Sequence, residues 1–161
     1  MDITLLVTKI NVYDEVSKTS SYTGAKMDDN GSGYMRIFTI DEDRVVLERF
    51  WNEACNKVVD LVKPFIVSIS KLVESHTIDI ANNFTAILCM PSSFDASLVE
   101  SINTDLFSFF TNYIVGKWYE FTNKSEAEAY LLSAGAILKD IKSKIYYRKK
   151  PTRVKPTAQP T

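Results

Sequence analysis

The sequence TIDEDRVVLERFWNEACNKVVDLVKPFIVSISK, residues 39–71, predicts the element around which the fold is organised. Its apolar side chains recur at spacings of three and four, the pattern of a helix with one buried face. Thr39 and Glu42 have the spacing of a capping box, which satisfies backbone N–H groups at the start of a helix. Pro64 lies inside the pattern and predicts a kink, or two helices placed end to end. The predicted buried positions are Leu47, Trp51, Ala54, Val58, Leu61, Phe65, Ile69 and Leu72.

Length and charge indicate one domain with a basic tail. At 161 residues, a single domain buries about 70% of its unfolded surface. We expect one domain over residues 1–147, followed by an extended basic tail over residues 148–161. Residues 139–161 have eight basic side chains and one acidic, a net charge of +7, whereas the preceding 138 residues have 11 basic and 19 acidic, a net charge of −8. This asymmetry predicts a molecule with two oppositely charged ends.

The sequence lacks the motifs of the common catalytic and metal sites. One histidine, His76, and two separated cysteines, Cys55 and Cys89, are too few for a usual zinc site, and no motif supports a nucleophile paired with His76. Both cysteines have apolar neighbours, which predicts buried free thiols. No signal peptide and no run of about 20 apolar residues is found, so we expect no membrane contact. The expectation is a non-enzymatic protein without a cofactor or metal.

Strands and a loop are predicted before the long helix. Residues 3–13 (ITLLVTKINVY) alternate apolar and polar side chains and predict a strand, as do residues 34–39 (YMRIFT). Residues 17–33 hold three of the five glycines among Ser, Thr, Asp and Asn, which predicts a long loop. We interpret this loop either as a flexible hairpin tip or as an ordered contact arm. In the second case its partner-binding residues are Tyr22, Lys26 and Met27.

A hairpin and two further helices are predicted after the long helix. Residues 77–90 predict a β-hairpin about an Asn-Asn turn. Ser93 or Asp95 caps a second helix, whose wide aromatic stripe predicts cover on more than one side. Asn123 begins a third helix, and the short connection makes these two helices antiparallel neighbours. The predicted fold class is α+β: a bundle of three helices, with N-terminal strands, the hairpin and the C-terminal arm.

The basic tail has three interpretations. It is a solvated terminus, an arm that docks on the acidic surface of a partner such as a neighbouring copy, or a segment that contacts nucleic acid phosphates. The wide apolar face of the second helix also favours a homo-oligomer. As an arm, its predicted partner-binding residues are Tyr146, Tyr147, Arg148, Lys149, Lys150, Pro151, Arg153, Lys155 and Pro156.

Four stretches of the chain resemble small structural proteins encoded by phages and prophages of gut Bacteroidetes-type bacteria. They are VYDEVSKTSSYTGAK (12–26), TIDEDRVVLERFWNEAC (39–55), IVGKWYEFTNKSEAEAY (114–130) and YYRKKPTRVKP (146–156). The resemblance implies a head–tail connector or neck component, of the adaptor-like class in which small helical proteins form a ring beneath the portal. It implies contacts with portal, neck or tail proteins in the virion, after synthesis in the host cytoplasm.

Two alternatives stay open beside the connector. The predicted strands and hairpin depart from a purely helical adaptor, so the resemblance is also compatible with a tail-completion or other virion protein. The alternative function is a nucleic-acid-associated or regulatory phage protein that uses the basic tail for a DNA contact.

Overall fold

The computed structural model describes residues 1–27, 39–66 and 83–151. In this part of the chain, four helices accompany a small two-stranded antiparallel sheet. The elements are β1 (Asp2–Val7), α1 (Lys9–Met27), α2 (Arg44–Val62), β2 (Phe84–Cys89), α3 (Val99–Thr122) and α4 (Lys124–Tyr146). A mainly helical α+β fold is therefore confirmed, although the prediction of three helices omitted α1.

Helix α3 lies at the centre of the fold. It packs against α1, α2, α4 and β1, and this confirms the prediction that the second predicted helix is covered on more than one side. Residues 39–71, predicted to organise the fold, instead supply α2, which buries one face. The reason is that α3 is apolar around most of its circumference, so it can pack several elements at once. Its buried residues are Ile102, Leu106, Phe109, Phe110, Tyr113, Ile114, Val115, Gly116, Trp118 and Tyr119.

Helix α2 begins later than predicted. A single 3₁₀ turn, Asp41–Asp43, precedes it. The Ile40 N–H donates to Asp43 Oδ2 at 2.9 Å, so Asp43 supplies the carboxylate that the capping box assigned to Glu42. This bond closes the 3₁₀ turn, whereas at the first residue of α2 Asp43 makes no side-chain capping hydrogen bond.

Helix α2 also ends earlier than predicted. It stops at Val62, and Pro64 lies in the 3₁₀ turn Lys63–Phe65 that follows. Ile66 is then extended, with φ −75° and ψ 120°. Because proline has no N–H and its ring crowds the preceding turn, the helix terminates here instead of kinking. The last predicted residues of the long helix, 67–71, lie outside the described residues.

The N-terminal predictions need two corrections. The strand ends at Val7 instead of residue 13, and the first eleven residues of the predicted loop, 17–27, belong to α1. Four buried residues of α1 recur at helical spacing: Val12, Val16, Ser20 and Thr23. Two of the four are small and polar, so the apolar signal of this helix fades where the loop was predicted. Residues 28–38, including most of the predicted second strand, lie outside the described residues.

The sheet joins distant parts of the chain. Strand β2 pairs with β1 in antiparallel register, from Asp2 opposite Cys89 to Val7 opposite Phe84. The second arm of the predicted hairpin is therefore a strand, and its partner in the described residues is β1. The first arm, residues 77–82, lies outside them. One face of the sheet is buried through Ile3, Leu5, Val7, Phe84, Ala86 and Leu88.

Helices α3 and α4 are antiparallel neighbours, as predicted, with Asn123 alone between them. Their close approach depends on Gly116. A Cβ atom added at Gly116 would lie 2.8 Å from both Cγ and Cδ2 of Leu131 and 3.2 Å from the Leu131 backbone nitrogen. Glycine permits this approach because it has no side chain.

Candidate functional site

The predicted C-terminal arm begins as an extended segment attached to the domain. Tyr147 ends α4 with φ −62° and ψ 139°. The Lys149 N–H then donates to the Ser93 carbonyl oxygen at 2.8 Å, and Lys149 Nζ lies 3.0 Å from Asp95 Oδ1. Both contacts are made to the segment just before α3. The arm root, residues 147–151, therefore leaves the domain in a defined direction.

Asp95 combines this contact with a second role. Its Oδ1 accepts hydrogen bonds from the Ser97 N–H at 3.1 Å and the Ser97 hydroxyl at 2.8 Å, and so caps the 3₁₀ turn that leads into α3. The Lys149 ammonium, together with the Ser97 donors, holds the pKa of Asp95 below its usual range. The start of α3 and the arm root thus share one carboxylate.

Aromatic contacts attach the same region to the end of α2. The rings of Tyr146 and Phe65 meet edge to face, with centroids 5.2 Å apart. The Arg148 guanidinium lies 5.7 Å from the Phe65 ring centroid, and its Nη1 donates to the carbonyl oxygens of Ile145 and Tyr147, each at 2.8 Å. These contacts limit the freedom of the arm root before any partner is met.

The predicted arm residues therefore divide into three groups. Tyr146, Arg148 and Lys149 contact the domain, although Tyr146 and Lys149 stay partly open to solvent. Tyr147, Lys150 and Pro151 are exposed. The remaining predicted residues, Arg153, Lys155 and Pro156, lie outside the described residues.

The second predicted contact region lies on α1 instead of a loop. Tyr22 is 73% exposed, and Lys26 and Met27 belong to the last turn of α1, although the structure does not describe their side chains. This half of α1 packs near the C-terminal end of α3, where the Tyr119 hydroxyl donates to the Thr19 carbonyl oxygen at 3.5 Å. We call the C-terminal half of this helix, residues 19–27, the α1 end.

The two predicted contact regions are not brought together. The arm root lies before the first residue of α3, and the α1 end lies beside Tyr119, 24 residues after Asp95. At about 1.5 Å per residue, α3 separates them by roughly 35 Å. The structure places one region at each end of its central helix.

A polar cluster between α1 and α2 was missed by the sequence analysis. Glu48 accepts hydrogen bonds from Lys9 Nζ at 2.7 Å and from the Tyr13 hydroxyl at 3.0 Å. Lys9 also lies 5.5 Å from the Trp51 ring centroid. Two adjoining clefts of about 440 and 360 Å³ border this cluster. The i, i+4 spacing of Lys9 and Tyr13 would have indicated it only if α1 had been recognised.

The cluster is suited to joining helices more than to proton transfer. Burial, together with the Glu48 carboxylate, raises the pKa of the Tyr13 phenol, so it stays a hydrogen-bond donor. Burial likewise raises the pKa of the Cys55 thiol to about 12 and keeps it protonated. Cys55 is buried as predicted, whereas Cys89 is exposed, so the prediction of two buried thiols was wrong for Cys89. The reason is its place as the last residue of β2, on the side of the sheet facing away from the core.

Comparison of the chain with models of protein families, with curated proteins and with solved structures gave no match. Among residues 1–27, 39–66 and 83–151, no group of three or more His, Cys, Asp and Glu side chains is arranged to hold a metal ion. His76 lies outside the described residues. Within the described part of the chain, no helix is long and apolar enough to cross a membrane.

Proposed function

We propose that this chain is a non-enzymatic structural protein of a phage virion, a connector or neck component of the head–tail junction that works as a homo-oligomer. The observation that carries the proposal is the separation of the basic arm and the α1 end by the length of α3. A strut with different contact regions at its two ends suits head-to-tail assembly. The resemblance to phage structural proteins supplies the virion context.

The arm root favours a docking arm over a freely solvated terminus. Its backbone hydrogen bond to Ser93 and its ion pair with Asp95 fix where the arm leaves the domain. Ordering a segment on a partner costs conformational entropy, and a root that is already held reduces that cost. Beyond the root, the sequence continues with Arg153 and Lys155. These charges are suited to the acidic surface of a partner, since residues 1–138 have a net charge of −8.

The geometry favours one type of symmetry. An arm at one end that binds the body of the next copy uses two different surfaces, which makes the contact heterologous. Heterologous contacts repeated around an axis give a ring if the rotation closes. In this proposal α3 and α4 form the rigid strut, the arm is the clasp, and portal, neck or tail proteins contact the ring.

The test is the mass of the assembly with and without the arm. Deleting residues 152–161 preserves the whole arm root, so the domain should stay folded while the large species is lost. The full-length double variant R153E/K155E should have the same effect, because it reverses two arm charges. The matched control is R49E/K57E, which makes the same charge change at two exposed positions of α2, outside both the arm and α1. Light scattering behind a sizing column measures each mass.

The results separate the proposal from its alternatives. A full-length chain that is monomeric at every concentration, or truncated protein with the same mass as the full chain, would contradict arm-mediated assembly. The nucleic-acid alternative is favoured by exposed Tyr146 and Tyr147 next to Arg148, Lys149 and Lys150. Under that alternative the same variants lose affinity for DNA, and the logarithm of wild-type affinity falls linearly with the logarithm of salt concentration.

A further inference from the structure

The outer face of α4 is exposed along the whole helix. At 3.6 residues per turn, eight residues from Ser125 to Ser143 lie within about 60° of Leu132 around the helix axis, and Tyr146 follows them in the last turn. The buried residues Ala127, Ala134, Ile141 and Ile145 lie on the opposite side. A solvated helix face is ordinarily rich in charge, but only two of these eight side chains are charged. The outer face consists of Ser125, Glu128, Ala129, Leu132, Gly135, Ala136, Lys139 and Ser143, all exposed.

Two residues one turn apart on this face, Leu132 and Gly135, are not accounted for by contacts within one copy of the described chain. Leu132 is 67% exposed at the centre of the face. A Cβ atom added at Gly135 would meet nothing within 4 Å. Glycine is unfavourable in a helix interior compared with alanine, and no contact inside the described chain requires it here. Glycine is suited to places where another backbone or a bulky side chain comes close.

The charges determine which partner fits. Glu128 and Lys139 lie 11 residues apart, three turns of helix, on the same face. Two antiparallel copies of α4 place Glu128 of each against Lys139 of the other. Two parallel copies in register would place like charges together, which is unfavourable.

The same register also pairs the apolar positions. The midpoint between Glu128 and Lys139 lies between Ser133 and Ala134, and so does the midpoint between Leu132 and Gly135. Antiparallel copies that pair the charges therefore set the exposed leucine of each copy opposite the glycine of the other. A groove of about 450 Å³, lined by Ala127 and Leu131 among others, adjoins Leu132 and extends this surface.

We propose that the outer face of α4 binds the outer face of α4 in a second copy of the chain, antiparallel and about a two-fold axis. In this contact Leu132 packs over Gly135 of the second copy, and Glu128 pairs with Lys139 twice by symmetry. The contact is isologous, with the same surface on both sides. It goes beyond the proposed function, because it uses no arm residue and does not require a virion.

The test is a charge exchange in the full-length chain. Because α4 association must be measured apart from the arm, every variant is made in the R153E/K155E background. Each single change, E128K or K139E, turns two attractive pairs into two repulsive ones and should weaken dimerisation about tenfold. The combined variant E128K/K139E restores opposite charges only in an antiparallel pair. The dissociation constant of its dimer should therefore return to within about threefold of the parent value. Sedimentation equilibrium over the micromolar range measures the dissociation constant of each variant.

A second variant tests the packing. G135Q places a long side chain where Leu132 of the second copy would lie, so the dimer should be lost while the circular dichroism spectrum stays helical. S133Q is the matched control, because Ser133 is exposed but about 100° away from Leu132 around the helix. The proposal is overturned if the parent is monomeric throughout, if the charge exchange fails to restore dimers, or if G135Q dimerises normally. If the arm variants leave the full assembly intact while the α4 variants behave as expected, only the proposed arm contact is refuted.

Discussion

The substitution of Gly116 by alanine tests how closely α3 and α4 pack. Alanine is the better helix former by about 1 kcal/mol, so propensity alone predicts that G116A stabilises the protein. The added Cβ, however, would lie 2.8 Å from Leu131 Cγ and Cδ2 and 3.2 Å from the Leu131 backbone nitrogen. The end of the Leu131 side chain could rotate away from the added methyl group. The Leu131 backbone, however, can move only if α4 shifts.

The expected balance is a loss of stability. Adding a methyl group to a filled interface costs about 1–3 kcal/mol, which exceeds the propensity gain of about 1 kcal/mol. We expect G116A to lower the free energy of unfolding by about 1 kcal/mol. The same substitution at exposed Gly135, where a Cβ meets nothing within 4 Å, should raise it by about 1 kcal/mol. The two variants should therefore melt roughly 4–8 °C apart, with wild type between them.

Urea unfolding followed by circular dichroism measures both changes. Dilute protein is needed, so that association through α4 does not add to the stability of wild type. The double variant G116A/L131A separates the two contacts: recovery relative to L131A alone would assign the cost to the leucine side chain, and no recovery would assign it to the backbone. If G116A is as stable as wild type or more stable, the close α3–α4 packing described above is incorrect.

Two further predictions concern titratable groups. At about pH 8, a thiol reagent should label Cys89 in the native protein, whereas Cys55, with its pKa raised to about 12 and no exposed surface, should react only on unfolding; labelling of Cys55 in native C89S protein would contradict this. Because folding lowers the pKa of Asp95, its ionised form stabilises the protein above its unfolded pKa of about 3.9, and this contribution is lost as pH falls through the lower folded value. D95N should therefore be less stable than wild type near pH 6, with a urea-midpoint difference that shrinks toward about pH 3; a difference that does not depend on pH would argue against the ion pair with Lys149.

The helices that sequence predicted well are those with strong local signals. Helix α3 has a capped start at Asp95 and a continuous apolar pattern, and α4 follows it after one residue. Local preference and tertiary packing agree there, which makes prediction reliable. In α1 they disagree, because Ser20 and Thr23 occupy buried positions that would ordinarily be apolar. Contact with α3 decides the conformation of that segment, and no pattern within it reports that contact.

The candidate site, like the fold, could be predicted from the sequence only in part. The basic composition of the tail indicated Lys149 as a contact residue, and Lys149 does make specific contacts. Its partners Ser93 and Asp95 are more than 50 residues earlier in the chain, so only the antiparallel return of α4 along α3 brings them together. The outer face of α4 also needed the structure, since Leu132 and Gly135 acquire meaning only once the buried side of the helix is known.

The central position of α3 has a consequence for synthesis of the chain. Both β1 and α1 are synthesised before the segments they contact: β1 pairs with residues 84–89, and α1 packs on a helix that begins at Val99. Long-range contacts of this kind delay folding, because they form only after the distant segments meet. A ribosome must therefore release most of the chain before the early segments can bury Leu5, Val12 and Trp51. Nascent chains that stop before α3 should expose apolar surface and depend on chaperones or aggregate.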